Sequence, residues 1–217
     1  MIETGMYFGE IHSFYDLNLI LSSVDIPAAV PKTNYIEIPG GDGSIDLTEV
    51  HGEVKYSDRD CKFTFTAPPM GASAWEELKT TVNNALNGKV FKITLEKDPE
   101  FYYFGRCSID GYSENKKIRQ IVVKAKVKPW KLRQSQTVIE KALNATWQTI
   151  LLPNSRKTVC PVIECTDENT KIAFNGVTYT LEAGTHKILD LQLKEGATAV
   201  SVHGNGTIKF TYQEGDL

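Results

Sequence analysis

The sequence predicts a mainly β protein with a single helix, divided into two domains. Three observations carry this. Short runs in which apolar and polar residues alternate at period two recur along the chain, bounded by glycine-rich or Asp/Ser-rich turns. One segment alone, about 73–87, carries its apolar residues at helical spacing. From Thr146 onward the texture changes to short strands at near-regular intervals, the pattern of an antiparallel sandwich. With 217 residues the chain exceeds the commonest domain size of about 100–150, and 41% hydrophobic with 24% charged residues is the composition of a folded protein. No apolar run approaches the roughly 18 residues of a membrane span, and the acidic start Met1-Ile2-Glu3 is unlike a secretory leader, so folding in the cytoplasm is expected.

Taken in order, Met6 to Leu21 holds an opening strand and, beyond Ser13–Asp16, a second at Leu17–Leu21. Pro27 and Pro31 cannot serve a central ladder, so Asp25–Pro31 reads as an extended arm. The stretch Val30–Phe65, VPKTNYIEIPGGDGSIDLTEVHGEVKYSDRDCKFTF, contains alternating runs at Tyr35–Ile38 and Cys61–Phe65, joined by a glycine-rich turn, an acidic segment and a second turn at Ser57–Asp60. It is expected to be a β-meander. Gly40, Gly41 and Gly43 do not make a phosphate loop, because Ser44–Thr48 continues as a strand rather than a helix and Asp42, Asp46 and Glu49 would repel phosphate.

Pro68–Gly71 breaks the chain, and Ser73 with Glu76 fits a capping box that opens the helix. Trp75, Leu78, Val82 and Leu86 form its apolar face and Gly88 can close it in a left-handed cap. Lys89–Glu96 and Phe101–Ile109 are strands about a turn at Lys97–Glu100; four consecutive aromatics, Phe101–Phe104, must split between two faces of a strand, core and interface, which is not a base-stacking platform. Lys116–Lys128 is expected to be the longest strand, with Ile121, Val123, Ala125 and Val127 on one face and Lys124, Lys126 and Lys128 in a row on the other. Lys131–Ala145 reads as a linker with a short helix around Thr137–Leu143, which places the domains at 1–137 and 138–217. Seven strands follow: Thr149–Leu152, Val159–Thr166, Thr170–Phe174, Val177–Leu181, His186–Leu191, Ala199–His203 and Thr207–Tyr212, with Asn175-Gly176 a hairpin turn.

Catalytic chemistry is not expected. His12, His51, His186 and His203 lack ligand spacing, no serine sits in a nucleophile elbow, and Asp58 and Asp60 flank Arg59 in a turn. Cys160 and Cys165, five apart on one strand, point to opposite faces and cannot share a metal there; with Cys61 and Cys107 they read as free thiols. No cofactor and no metal are expected. The charge is polar along the chain: residues 1–60 hold eleven acids against Lys32, Lys55 and Arg59, whereas 116–133 hold eight Lys or Arg and no acid.

The Pro39–Glu49 block PGGDGSIDLTE, the following Tyr56-Ser57-Asp58-Arg59 turn into an aromatic strand, and the ending Tyr212-Gln213-Glu214-Gly215-Asp216-Leu217 resemble the distal tail protein family of long-tailed bacteriophages. The resemblance implies an N-terminal split β-barrel-like ring domain with one helix, followed by a C-terminal galectin-like antiparallel sandwich. It implies a non-enzymatic structural protein of a phage or prophage: a homo-hexameric ring in the virion tail, assembled in the host cytoplasm. That ring would join the tail tube protein to the tail-tip protein and to receptor-binding proteins, with DNA passing through without specific binding. In such a ring Lys124, Lys126 and Lys128 are expected to meet acidic residues of a neighbouring subunit or tail protein, Asp42, Asp46 and Glu49 being the candidates. The alternative is a module that binds host cell-wall saccharide, against which stands Trp147, the one tryptophan beyond the linker, with no polar cluster beside it in the sequence.

Overall fold

The computed structural model describes residues 5–50, 52–115 and 118–217, and the chain divides into two compact units, 1–131 and 132–217. His51 and the start of the Lys116–Lys128 run lie outside the described residues.

In the first unit the strands are β1 (Met6–Phe8), β2 (Ile11–His12), β3 (Ile20–Asp25), β4 (Tyr35–Glu37), β5 (Ser44–Asp46) and β6 (Arg59–Ala67). The helix α1 (Ala72–Leu86) and the strands β7 (Val90–Leu95), β8 (Phe101–Glu114) and β9 (Arg119–Val127) follow. Seven of these strands form one antiparallel sheet in the order β2-β1-β7-β8-β9-β6-β3. The expected alternation holds on β9: Ile121, Val123, Ala125 and Val127 are buried with Phe63, Phe65, Cys61 and Cys107, while Lys124 and Lys126 face outward. Phe8 packs its ring edge-on to Phe63 and tilted to Phe65, at centroid separations of 6.4 and 6.1 Å. Helix α1 lays Trp75, Val82 and Leu86 on this same apolar face, so the opposite, lysine-bearing face carries no helix.

Several expectations are corrected here. The helix starts two residues earlier than the capping box implied: Gly71 is the N-cap, and no side chain caps it, so Ser73 lies inside the helix. The Arg119 guanidinium donates to the carbonyls of Met70 and Gly71 and so ties down the chain entering the helix, but as a donor it does not serve the first-turn N–H groups that a cap would satisfy. Strand β3 begins at Ile20 and runs to Asp25; Leu17 and Leu19 are buried from a turn in which Asn18 takes φ +53°, so burial alone produced their alternation. The longest strand is β8, fourteen residues bent by a bulge at Ile109/Gly111, not the lysine-bearing β9 with nine. The Val30–Phe65 stretch is not a meander. Strands β4 and β5 pair only with each other in a separate two-stranded sheet, and Arg59 and Asp60, expected in a turn, already belong to β6.

The histidine at position 12 is structural. Its Nδ1 accepts from the backbone N–H groups of Phe14 and Tyr15, which leaves Nε2 as the donor to Glu96 at 3.1 Å. The ring is wedged between Tyr7 and Tyr15 and is almost wholly buried.

A short strand, β10 (Lys131–Arg133), spans the division between the units. The second unit comprises β11 (Thr137–Asn144), β12 (Gln148–Asn154), β13 (Val162–Cys165), β14 (Thr170–Phe174), β15 (Val177–Leu181), β16 (Gly184–His186), β17 (Gly196–His203), β18 (Asn205–Tyr212) and β19 (Gly215–Asp216). Two four-stranded sheets, β11-β18-β13-β16 and β12-β17-β14-β15, share a core built from Ile150, Leu152, Ile163, Ile172, Val200, Val202, Ile208 and Phe210. The hairpin expected at Asn175-Gly176 is present, both residues taking positive φ, +49° and +77°.

The linker helix expected around Thr137–Leu143 is instead strand β11, paired residue for residue with β18 from Thr137↔Tyr212 to Asn144↔Asn205. Glu140-Lys141-Ala142-Leu143 has ordinary helix propensity, but eight ladder pairs override it. The strand expected at His186–Leu191 ends at His186; Leu191 and Leu193 still point into the core, and Leu193 makes an isolated bridge to Val159.

Candidate assembly surfaces

The acidic candidates sit on a projecting hairpin. Its turn is formed by Pro39–Gly43, where Gly40 and Gly43 take φ +78° and +75° with open space where a side chain would be, so they shape a turn and cradle nothing. Pairing of Tyr35↔Asp46, Ile36↔Ile45 and Glu37↔Ser44 gives the hairpin two unlike faces. Ile36 and Ile45 lie together on one; Tyr35, Glu37, Ser44 and Asp46 lie on the other.

Neither face is covered. All six strand residues are exposed, and Tyr35, Ile36, Ile38 and Ile45 keep between 45% and 57% of their surface in contact with solvent. Asp42 is at the tip and Glu49 beyond β5, both exposed. The Asp46 carboxylate accepts from the Thr48 N–H at 2.9 Å, and the Thr48 hydroxyl and this N–H hold its carboxyl below the ordinary value. At the base of the arm, Asn34 and Leu47 are tied by Leu47 N–H to Asn34 O at 2.8 Å, and Pro31 bridges Tyr56.

The basic candidates sit on the helix-free face of the large sheet. Lys124, Lys126 and Lys128 are exposed there, and the register brings further cations beside them: Lys62 lies opposite Lys124, and Arg106 opposite Lys126. Like charges in directly opposed positions disfavour the sheet. Carboxylates offset part of this, Asp110 at 2.6 Å from Lys124 Nζ and Asp58 at 3.5 Å from Lys128 Nζ, with Asp60 opposite Lys126. Asp58, Asp60, Arg106, Lys124, Lys126 and Lys128 line a shallow groove of about 550 Å³, flanked by the half-exposed Val90 and Phe104.

Gly105 forms its floor. A Cβ built there would meet the Lys126 carbonyl oxygen at 2.2 Å, so only glycine lets β8 and β9 approach this closely. The structure thus joins the three predicted lysines to Lys62, Arg106 and three carboxylates that sequence spacing does not connect. It leaves the acidic trio on or beside a hairpin whose strands pair with no other sheet, and none of the three lines that groove.

The aromatic run beside the groove is occupied by the protein's own cations. Lys131 Nζ lies 4.3 Å from the Phe101 centroid, Lys92 Nζ 4.8 Å from Tyr102, and the Arg59 guanidinium 5.8 Å from Tyr103.

Among the described residues no group of three or more His, Cys, Asp or Glu is placed to hold a metal ion. The four cysteines are free thiols, three of them buried. Burial pushes Cys61 up to about 11 and Cys107 up to about 12, values at which neither is a nucleophile near neutrality.

In the second unit Trp147 is 52% exposed, and its ring lies 5.4 Å from that of His203. Beside it the Asn144 side-chain oxygen accepts from both the Thr146 hydroxyl and the Gln148 amide at 2.6 Å. The sequence reading found no polar cluster near Trp147 because His203 is 56 positions away; the β12–β17 pairing, which sets Gln148 against Val202, brings it alongside.

No protein-family model matches the chain, and no curated protein is significantly similar to it in sequence. Among solved structures it is similar to the Dit (gp 19.1) protein of phage SPP1, whose crystal structure is titled a paradigm of the hub adsorption apparatus in phages infecting Gram-positive hosts. The likeness has a TM-score of 0.70 at 15% identity and spans 96% of this chain and 98% of that one; the mainly β, one-helix chain with its two-sheet second unit has the fold of that phage hub protein.

Proposed function

We propose that this protein is a distal tail hub of a bacteriophage or prophage, a structural component and not an enzyme. In this reading the first unit forms a closed homo-hexameric ring around the DNA channel at the end of the tail tube. The second unit, a galectin-like sandwich, offers attachment to tail-tip and receptor-binding proteins. The observation that supports the reading is the likeness to SPP1 Dit over essentially the whole of both chains, both units included, rather than over one common domain. The exposed arm agrees with it: a two-stranded hairpin with no covering layer is at best marginally stable in water and is the kind of element that a neighbouring subunit completes.

Gold-labelled antibody against the protein tests the placement on tailed particles from a host carrying the gene. Label at the distal end of the tail supports the reading; label on the capsid, or only on material outside particles, overturns it.

A second reading rests on Trp147. A half-exposed indole beside an imidazole and a set of amide and hydroxyl groups offers one apolar ring for the C–H face of a sugar and donors for its hydroxyls, so cell-wall saccharide is a candidate ligand of the second unit.

A further inference from the structure

We infer that the outer face of the β12-β17-β14-β15 sheet binds a glycan chain that bears carboxylates, with one sugar stacked on Trp147 and the carboxylate of the adjoining sugar held by Lys171. This deepens the saccharide reading of Trp147 above and rests on it.

Cross-strand register builds the site. Ile150, Leu152, Ile172, Val200 and Val202 turn into the core, so the residues that alternate with them stand on the opposite, outer face. At one end of that face Lys171 is paired with His203 on one side and Thr180 on the other, and the Trp147 ring lies 5.4 Å from that of His203. Trp147, His203, Lys171 and Thr180 therefore form a row that crosses the sheet. The next row, Thr149, Ser201, Ala173 and Thr178, consists of short uncharged side chains. The half-exposed indole thus stands at the edge of a flat shelf of hydroxyl and methyl groups.

Such a shelf suits a sugar chain. The indole offers its face to the C–H groups of one pyranose, and the hydroxyls of Thr149, Ser201 and Thr180 are neutral partners for sugar hydroxyls. Neighbouring strands lie about 4.8 Å apart, so Lys171 stands two spacings, about 10 Å, from the strand that Trp147 leads into. It is therefore placed to meet the adjoining residue of a chain rather than the stacked sugar itself.

Charge sets the class of glycan. The four strands of this sheet contain one lysine, one histidine and no Asp, Glu or Arg. Lys171 is exposed and has no ion pair among the described residues. The other sheet differs: there Lys209 is already held by Glu164 at 2.6 Å, with Glu140 opposite it. An unpaired ammonium at the end of an aromatic shelf is complementary to a sugar carboxylate. A phosphate polymer is a poorer fit, because the sheet lacks an arginine fork and the second unit has no helix whose N-terminus could add backbone donors.

Isothermal titration calorimetry of the full-length protein tests this with three probes: an oligomer of galacturonic acid, the same oligomer with its carboxyls reduced to alcohols, and inorganic polyphosphate. Trp147→Ala and Lys171→Gln are compared with the wild type, each checked for folding by circular dichroism. The wild type is expected to bind the acidic oligomer about tenfold more tightly than the neutral one, and polyphosphate no better than the neutral one. Lys171→Gln should bind both oligomers alike, at the level of the neutral one, and Trp147→Ala should bind neither. Equal binding of the two oligomers by the wild type, a comparison that needs no substitution, shows the carboxylate assignment wrong while the saccharide reading stands. A preference for the acidic oligomer that survives Lys171→Gln has the same meaning. Polyphosphate bound more tightly than the acidic oligomer, and released by Lys171→Gln, replaces the carboxylate by phosphate. Failure of the wild type to bind either oligomer, or undiminished binding by Trp147→Ala, overturns both the assignment and the saccharide reading.

Discussion

Gly105→Ala isolates the close approach of β8 and β9 that builds the groove floor. The added Cβ would lie 2.2 Å from the Lys126 carbonyl oxygen, 2.5 Å from Val127 Cα and 2.8 Å from the Lys126 carbonyl carbon. All three are backbone atoms, so no side chain can turn away. Carbon atoms settle about 3.5–4.0 Å apart, so the two strands must separate by about an ångström at this point.

Overpacking of this kind costs about 1–3 kcal/mol, and each ladder hydrogen bond weakened adds about 0.5–1.5. A loss of roughly 3 kcal/mol is expected, which for a unit of this size lowers Tm by about 10 °C. Gly111→Ala is the matched control: it lies on the same strand, at the bulge, with open space around its Cβ position and no positive φ. It should be neutral or slightly stabilising through the unfolded chain. Urea unfolding followed by circular dichroism and tryptophan fluorescence measures both. Equal stability of Gly105→Ala and wild type, or equal loss in the two variants, would refute the steric argument.

Other expectations follow from the same structure. A fragment comprising residues 1–131 should be soluble and unfold cooperatively, because its core is self-contained; an insoluble fragment from a well-behaved full chain would contradict this. In the native state a thiol reagent near neutral pH should reach Cys160, which is only half-buried, far faster than Cys61, Cys107 or Cys165, with all four reacting after denaturation. Because burial raises the Cys61, Cys107 and Tyr212 values in the folded chain, to about 11, about 12 and about 12, these groups favour the protonated native state: their contribution is intact below the unfolded values of 9.0 and 10.0 and is lost as pH rises through the folded ones. Alkaline titration followed by circular dichroism should therefore show stability falling from about pH 9 upward. Trp147→Ala should abolish any retention of the protein on host cell-wall polysaccharide; retention unchanged by the substitution would remove the saccharide reading.

How far the sequence carried the structure depended on whether a residue's partner was local. The parity of Ile121, Val123, Ala125 and Val127 against Lys124 and Lys126 is a property of one strand, and it is visible as alternation. The Asn175-Gly176 turn and the apolar stripe of α1 are local in the same sense. Strand β11 was hidden because its pairing with β18 joins residues 137–144 to 205–212, and nothing within Glu140–Leu143 signals it. Leu17 and Leu19 misled in the opposite direction, being buried by a turn rather than a strand. Of the charged sheet face, the three lysines were legible, while Lys62, Arg106 and Asp110 entered through cross-strand register and a bulge. Trp147 and His203 are a further pair that only register brings together.

The central claim is that this chain closes into a ring, and imaging the purified protein by electron cryomicroscopy tests it most directly. The proposed function predicts class averages of a closed six-fold ring with an open centre, a particle of about 145 kDa from a 24.2 kDa chain. Isolated monomers at all concentrations, or open filaments with no closed ring, would contradict it.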